Sequence, residues 1–238
     1  TLGLRLNLKG VHKICEDYGD RMERFCTFDS SLSSIVDRAV GSKRFRVRVR
    51  TRGGHSYNNF GNDNAIACLA SLVGELYGIR VPEGGKTTYN VGMISGGTSV
   101  NTIAQEAEML YEFRSDRREN LEYMERQFMK VIDRGKSEGM DVSLEIIGVR
   151  PCEGPVDPKR KQALSDWAHR VVEEMTGQAP KHCAGSTDCN IPLSLGIPSV
   201  CVGSFRGAGA HTREEYVETD SLEEGYKVAF GMIFGSRD

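Results

Sequence analysis

The chain lacks several features that would have assigned it quickly. No apolar run approaches the ~20 residues that a membrane-spanning helix needs, and the opening TLGLRLNLKG has no long apolar core of a secretory signal, so the cytoplasm is the expected location. An excess of one charge is missing too. Lys and Arg number 31 against 33 Asp and Glu, for a formal net charge of -2 and a pI near 6.2. No strong field is therefore available to recruit nucleic acid or an anionic membrane surface. Paired cysteines are lacking as well: the seven, at 15, 26, 68, 152, 183, 189 and 201, form no CxxC pair. An odd, scattered set argues against a disulfide framework and a thiolate zinc knuckle, and buried reduced thiols are expected instead. Internal repeats and low-complexity tracts are absent. What is present is 238 residues at 39% hydrophobic content, enough to bury the core of one or two globular domains.

Pattern is clearest between Phe45 and Arg150. FRVRVRT (45–51) alternates apolar and basic residues, the period of a strand with one face on a core and one face wet. NAIACLASLVGELY (64–77) sets Ile66, Leu69, Leu72, Val73 and Leu76 at helical spacing before Gly78. Residues 87–94 and 106–114 read as an antiparallel pair around ISGGTS, residues 121–132 as a second helix and residues 142–149 as a last strand. This βαββαβ order predicts a ferredoxin-like module, a four-stranded antiparallel sheet with both helices on one face and an edge open to a second copy of the chain. Its expected span is 45–150. The flanks, 1–44 and 151–238, hold α/β pieces that are not self-sufficient and are expected to join in space as one partial domain. Helices are predicted at 159–176 and 221–234, the latter capped by Thr219 or Asp220, with a short buried strand at 199–203. Gly41-Ser42 and the Pro151 to Pro155 stretch mark the two crossings.

Residues able to carry chemistry fall in loops. His211, in RGAGAHTREEYV, follows glycines that let backbone approach a ligand and precedes Glu214, Glu215 and Glu218, which could orient an imidazole bound to metal. On pattern alone it reads more readily as a solvated loop histidine. His55, in TRGGHSYNNFGN, could donate to a developing oxyanion or be a plain turn residue. Arg114 could clamp a carboxylate or pair at the surface with Asp116 or Glu112. Asp29 and Asp188 sit at expected strand ends, where α/β sites assemble, and equally suit turns or caps. GGTSVNTIA, with Asn101, lacks the Lys-Ser/Thr ending of a phosphate loop.

Taken in order, GGHS, GGTSVNTIA, YEFRSD, STDCNIP, GIPSVCVG and GAGAHTREEYV resemble the zinc exopeptidase and amidase family that includes aminoacylase, peptidase T, carboxypeptidase G and succinyl-diaminopimelate desuccinylase. The resemblance covers nearly all of the chain. It implies an α/β fold, a partial catalytic domain with an inserted ferredoxin-like lid that dimerises. It further implies that His211 and Asp29 are metal ligands and that His55 polarises the scissile carbonyl, often across the dimer. Asn101 and Arg114 would hold the substrate's carboxylate end, Gly207 and Gly209 line the pocket, and Ser186 and Thr187 touch substrate. Related sequences tend to carry glycine after the acid, where this chain has Ser30.

The family's early H-x-D ligands, bridging aspartate and Glu-Glu pair have no equivalent. Neither H-x-D nor H-x-x-x-H occurs, and the Glu-Glu pairs begin at 173, 214 and 223. The chain is thus expected to be the carboxy-terminal portion of such an enzyme. The resemblance implies zinc, with two ions in the full-length parent and cobalt or manganese also suited to these ligands. It implies amide hydrolysis in a small peptide or N-acyl amino acid, by a homodimer without nucleic acid or membrane partners. The rival expectation is a non-catalytic dimerisation or ligand-binding module. An RNA-binding reading of the ferredoxin-like module conflicts with the acidic balance and the lack of an aromatic RNP-type strand.

Overall fold

The protein is described by a computed structural model over residues 8–210 and 212–235. Helix α1 (Lys9–Tyr18) and a 3-10 turn (Gly19–Arg21) lead into β1 (Phe25–Phe28) and β2 (Ser34–Ala39). There follow β3 (Gly41–Arg50), β4 (Gly54–His55), α2 (Ala65–Tyr77), β5 (Thr87–Gly96), β6 (Thr102–Ile103), β7 (Glu106–Ser115), α3 (Arg118–Ser137) and β8 (Asp141–Arg150). The chain closes with α4 (Pro158–Thr176), β9 (Lys181–Gly185), α5 (Asn190–Ser194), β10 (Ser199–Val202), β11 (Arg206–Ala208), β12 (Tyr216–Glu218) and α6 (Ser221–Phe234). Two compact units result: Gly41–Val149, and Leu8–Val40 with Arg150–Asp238.

In the first unit the strand order β5-β7-β3-β8 is that of a ferredoxin-like βαββαβ module, as the hydrophobic pattern predicts. Strand β7 pairs antiparallel with both β3 and β5. Its odd residues, Ala107, Met109, Tyr111 and Phe113, are buried beside Phe45, Val47 and Val49 of β3. Phe128 of α3 stacks on Phe45 at 4.4 Å and on Tyr111 at 5.2 Å between ring centroids, making an aromatic core with α2 residues Leu69, Leu72 and Leu76. Even residues face away from this core and alternate in sign across strands: Arg44 meets Glu112 (3.0 Å), Arg48 meets Glu108 (2.6 Å) and Arg50 meets Glu106 (3.0 Å). Each pair adds little stability, but together they neutralise a sheet face that a row of arginines would charge.

The second unit has a four-stranded sheet in the order β1-β10-β2-β9, with β1 and β10 parallel, β2 and β9 parallel, and β10 and β2 antiparallel. All four residues of β10 are buried because both of its faces are covered. Val200 and Val202 pack with Trp167, Val171 and Val172 of α4 and Val228 and Met232 of α6; Cys201 packs with Cys189, Leu193 and Val156. Asp157 caps α4, its carboxylate accepting from Lys159 N at 2.8 Å.

The chain crosses from one unit to the other between Val40 and Gly41, and Gly41 and Ser42 are buried in β3, paired with Ser115 and Arg114. Two local expectations are corrected. Ile66 is 43% exposed, since the buried stripe of α2 runs through Ala65, Leu69, Leu72 and Leu76. Helix α6 starts at Asp220 without a side-chain cap; Leu222 N instead donates to Thr219 O.

Candidate functional site

His55 and Asn101 are brought together by a small hairpin. Gly53, at φ 64°, has no room for a Cβ, which would lie 2.8 Å from Ile103 O, so only glycine lets β4 close on β6. In that pairing His55 lies opposite Thr102, and Ser56 N donates to Asn101 O at 3.0 Å. The His55 Nδ1 accepts from the backbone N–H groups of Tyr57 (3.2 Å) and Asn58 (3.4 Å). A neutral imidazole that accepts at Nδ1 carries its proton on Nε2, so the exposed ring presents an N–H donor outward. Asn59 fixes the turn from both sides, its Oδ1 accepting from His55 N and its N–H donating to His55 O, each at 2.9 Å. Asn101 is positioned by Ser99, whose hydroxyl donates to its Oδ1 at 2.8 Å.

Arg114 lies at the other end of the same sheet. It faces Ser42 at the start of β3, whereas the hairpin follows the end of β3, where Arg50 pairs with Glu106. Eight residues of β7 separate the two ends, about 26 Å at strand spacing. Within one chain, then, Arg114 does not share a ligand with His55 and Asn101. Its guanidinium makes a forked contact with Glu112 (Nε to Oε1 2.9 Å, Nη2 to Oε2 3.0 Å), and Arg44 donates to the same carboxylate. Partial burial pushes the Glu112 carboxyl up, but the two guanidiniums outweigh it and hold the group below its ordinary value.

In the second unit Asp29 follows β1, is exposed, and donates its N–H to Val202 O at 3.1 Å. Ser204 N donates to Ser30 O, and Leu32 N to Phe205 O, so the loop leading toward residue 211 starts beside Asp29. His211 itself lies outside the described residues. Gly207 pairs with Val217 in the β11–β12 hairpin, where a Cβ would lie 2.2 Å from Tyr216 O; Gly209 adopts φ 73°. Both glycines are thus required by the hairpin. Ser186 and Thr187 leave β9 at the opposite end of the sheet from Asp29, because β9 runs antiparallel to β10 and β1. The Ser186 hydroxyl accepts from Arg150 (3.0 Å), and Thr187 N donates to Asn190 Oδ1 (2.8 Å). Asp188 is exposed in the same turn.

Residues 39–140 match the peptidase dimerisation domain family of the M20 type. The chain carries an M20 peptidase dimerisation domain. The family read from the six motifs is the one recovered. Over 227 residues the chain is 31% identical to a p-aminobenzoyl-glutamate hydrolase homolog of Haemophilus influenzae, covering 88% of this chain and 51% of that protein. Among solved structures, aminopeptidase PepT of Bacillus cereus has a TM-score of 0.71 at 21% identity, over 97% of this chain and 61% of that one. A tripeptidase of Staphylococcus aureus has 0.72 at 20%, over 95% and 60%. These likenesses show the α/β fold. The chain spans about half the length of the curated relatives it matches.

Outside the dimerisation domain, a cluster that the sequence concealed joins β2, β9 and α4. His182 Nδ1 lies 2.7 Å from Asp37 Oδ2, the Ser165 hydroxyl donates to the same oxygen at 2.8 Å, and His169 Nδ1 lies 2.9 Å from His182 Nε2. The partners are up to 145 residues apart, so no spacing announces them. Asn190 is a further organiser that no motif marks: fully buried, it donates to Val40 O and Pro151 O, both at 2.9 Å. One amide therefore pins the two segments where the chain leaves this unit and returns. As for metal, no group of three His, Cys, Asp or Glu among the described residues could hold an ion, so these residues alone do not fit a zinc centre. No helix among them is long and apolar enough to cross a membrane.

Proposed function

We propose that this chain is the lid and part of the catalytic domain of a metal-dependent amidohydrolase that cleaves an amide bond in a small peptide or N-acyl amino acid. The observation carrying this reading is the His55 tautomer set by two backbone donors, which leaves Nε2–H outward as a preorganised donor. Such a group stabilises charge developing on a carbonyl oxygen. The names of the relatives support the substrate class: a p-aminobenzoyl-glutamate hydrolase homolog and an aminopeptidase both act on amide bonds. Zinc would activate water; Asp29 and His211 are the residues here assigned to it, and further ligands must come from outside the described residues.

The separation of His55 and Asn101 from Arg114 is the reason for proposing a homodimer built through the dimerisation domain. Arg114 of one copy holds the substrate carboxylate while His55 and Asn101 of the other reach the scissile group, and Gly207 and Gly209 line the pocket; Ser186 and Thr187, at the other end of the sheet from Asp29, are left out of it. The test is to mix protomers. His55→Ala is expected to lower kcat about 10²–10³-fold, the magnitude of losing one oxyanion donor. Arg114→Ala should mainly raise KM for a free carboxylate substrate. Mixed in equal amounts, the two impaired variants should regain activity, because every dimer that pairs one variant with the other holds one intact site. Absence of recovery in a mixture shown to exchange protomers would sink the shared site.

A further inference from the structure

Helix α4 is held to its sheet in two different ways. Its buried residues Leu164, Trp167, Val171 and Val172 pack with apolar side chains of β1, β2, β10 and α6, and among the described residues none in this cluster comes from β9. Strand β9 is an edge, paired only with β2. What it offers α4 instead is His182, which faces Ile35 across the ladder. One step further the ladder slips: Val36 faces Cys183 and Arg38 faces Ala184, so Asp37 is an extra residue with no partner on β9, a bulge that is rare between parallel strands. Ser165, His169 and Glu173 meet these two residues from a single ridge of α4, four residues apart.

The hydrogen bonds place every proton in this row. Asp37 Oδ2 is an acceptor, so the Ser165 hydroxyl at 2.8 Å and His182 Nδ1 at 2.7 Å both donate to it. His182 Nε2 is then a bare lone pair and accepts from His169 Nδ1–H at 2.9 Å. His169 Nε2 is left without a proton, 3.9 Å from Glu173. The two side chains are 32% and 35% exposed, so protons reach them from solvent. A first added proton goes to His169 Nε2, beside Glu173, and leaves every bond intact. A second has only His182 Nε2 to occupy. It would turn the N–H···N bond into two opposed N–H groups and set like charges on rings that lie 5° from parallel with centroids 5.2 Å apart. The other charges facing the pair are Arg38, 3.9 Å from Asp37, and Asp166, one turn before His169 and bonded to Gln162; Lys181 points to the opposite face of β9. The Cys183 thiol, raised first by burial and then by Asp37, stays neutral.

We propose that the His169–His182 pair is an acid-operated latch, which holds the edge strand β9 against α4 while it carries no more than one added proton and releases the strand when a second binds. Imidazoles change charge between about pH 5 and pH 8, so the device works in mildly acid surroundings. The turn at Ser186, gripped by Arg150, follows β9 directly and would loosen with it. The inference concerns the second unit alone and stands or falls independently of the proposed hydrolysis.

The test uses the 238-residue chain with a chelator present. At about pH 7.5, nitrogen NMR is expected to show both rings as Nδ1–H tautomers, with a scalar coupling between His169 Nδ1 and His182 Nε2. As the pH is lowered to about 5, the coupling should vanish when the second ring charges. Exchange of the β9 amides, corrected for its intrinsic pH dependence, should rise at least about tenfold at the same step, while β10 and the dimerisation domain stay protected. In His169→Gln, with unchanged circular dichroism, the amide can donate to a neutral His182 or, turned over, accept from a charged one, so β9 should stay protected throughout. Should that variant fold poorly, His182→Gln also removes the two-proton step and with it the acid release. An Nε2–H tautomer at either ring, two independent titrations, opening of the whole unit together, or acid release of β9 that persists in these variants would overturn the proposal.

Discussion

Ser30 adopts φ 94°, a conformation in the left-handed region that a side chain with a Cβ rarely takes. The resemblance places glycine there, and the backbone gives the reason: the turn after Asp29 must reverse sharply to start β2 while Ser30 O accepts from Ser204 N. Strain of this kind costs on the order of 1–2 kcal/mol, partly offset by the entropy glycine loses on folding. Ser30→Gly is therefore expected to gain about 1 kcal/mol, a rise of roughly 2–4 °C in Tm measured by calorimetry. A second residue-scale prediction concerns Glu112. Its carboxyl is held below the ordinary 4.5 by Arg114 and Arg44 despite burial. Because the folded value is the lower one, the stabilisation is complete above the unfolded value and is lost as pH falls through the folded one. Glu112→Gln should then cost about 1–2 kcal/mol by urea titration at pH 7, and the cost should shrink as the pH is lowered through the folded carboxyl's own titration. A cost that does not change with pH would show that the charge is not what matters. Burial acts on the thiols in the opposite sense to these guanidiniums, pushing Cys201 up to about 12 and Cys26 to about 11. Of the seven thiols expected to be mostly buried and reduced, Cys15, Cys152, Cys189 and Cys201 are buried, and Cys26, Cys68 and Cys183 are half-buried.

At the scale of elements, length decided legibility. Helices α2 and α3 and strands β3, β5, β7 and β8 run for 10 to 20 residues and show several periods of their pattern, which is why the βαββαβ order could be read directly. Strands β1, β9, β10, β11 and β12 have three to five residues, too few to establish a period, and β1 finds its partner β10 far along the chain, Phe25 facing Ser199. The two-residue strands β4 and β6 carry no pattern at all, yet their pairing sets His55 beside Asn101. Caps divide in the same way. Asn64 Oδ1 accepts from Ile66 N (2.9 Å) and Ala67 N (3.4 Å), a local device visible as asparagine before an apolar run. Asn64→Ala should cost about 1 kcal/mol in chemical denaturation, and a smaller loss would mean that tertiary packing alone holds the first turn of α2.

On the scale of the whole molecule, the chain leaves one unit at Val40 and returns to it at Arg150, and the unit it visits has an aromatic core of its own. Residues 41–149, expressed alone, are expected to unfold in one cooperative urea transition by circular dichroism, since about 100 residues around such a core suffice for a domain. A broad, non-cooperative loss of signal would contradict that independence. The sequence by itself determined the class of fold, the ferredoxin-like module and the family, because periodic burial and glycine-marked loops are local properties of the chain. Only the tertiary structure decided the rest: that Arg114 stands at the far end of the sheet from His55 and Asn101, that Asp37, His182 and His169 meet, and that Asn190 ties together both crossings. Those facts depend on strand order and register. They are fixed by which apolar faces bury against each other across long stretches of chain, and no window of sequence contains both partners.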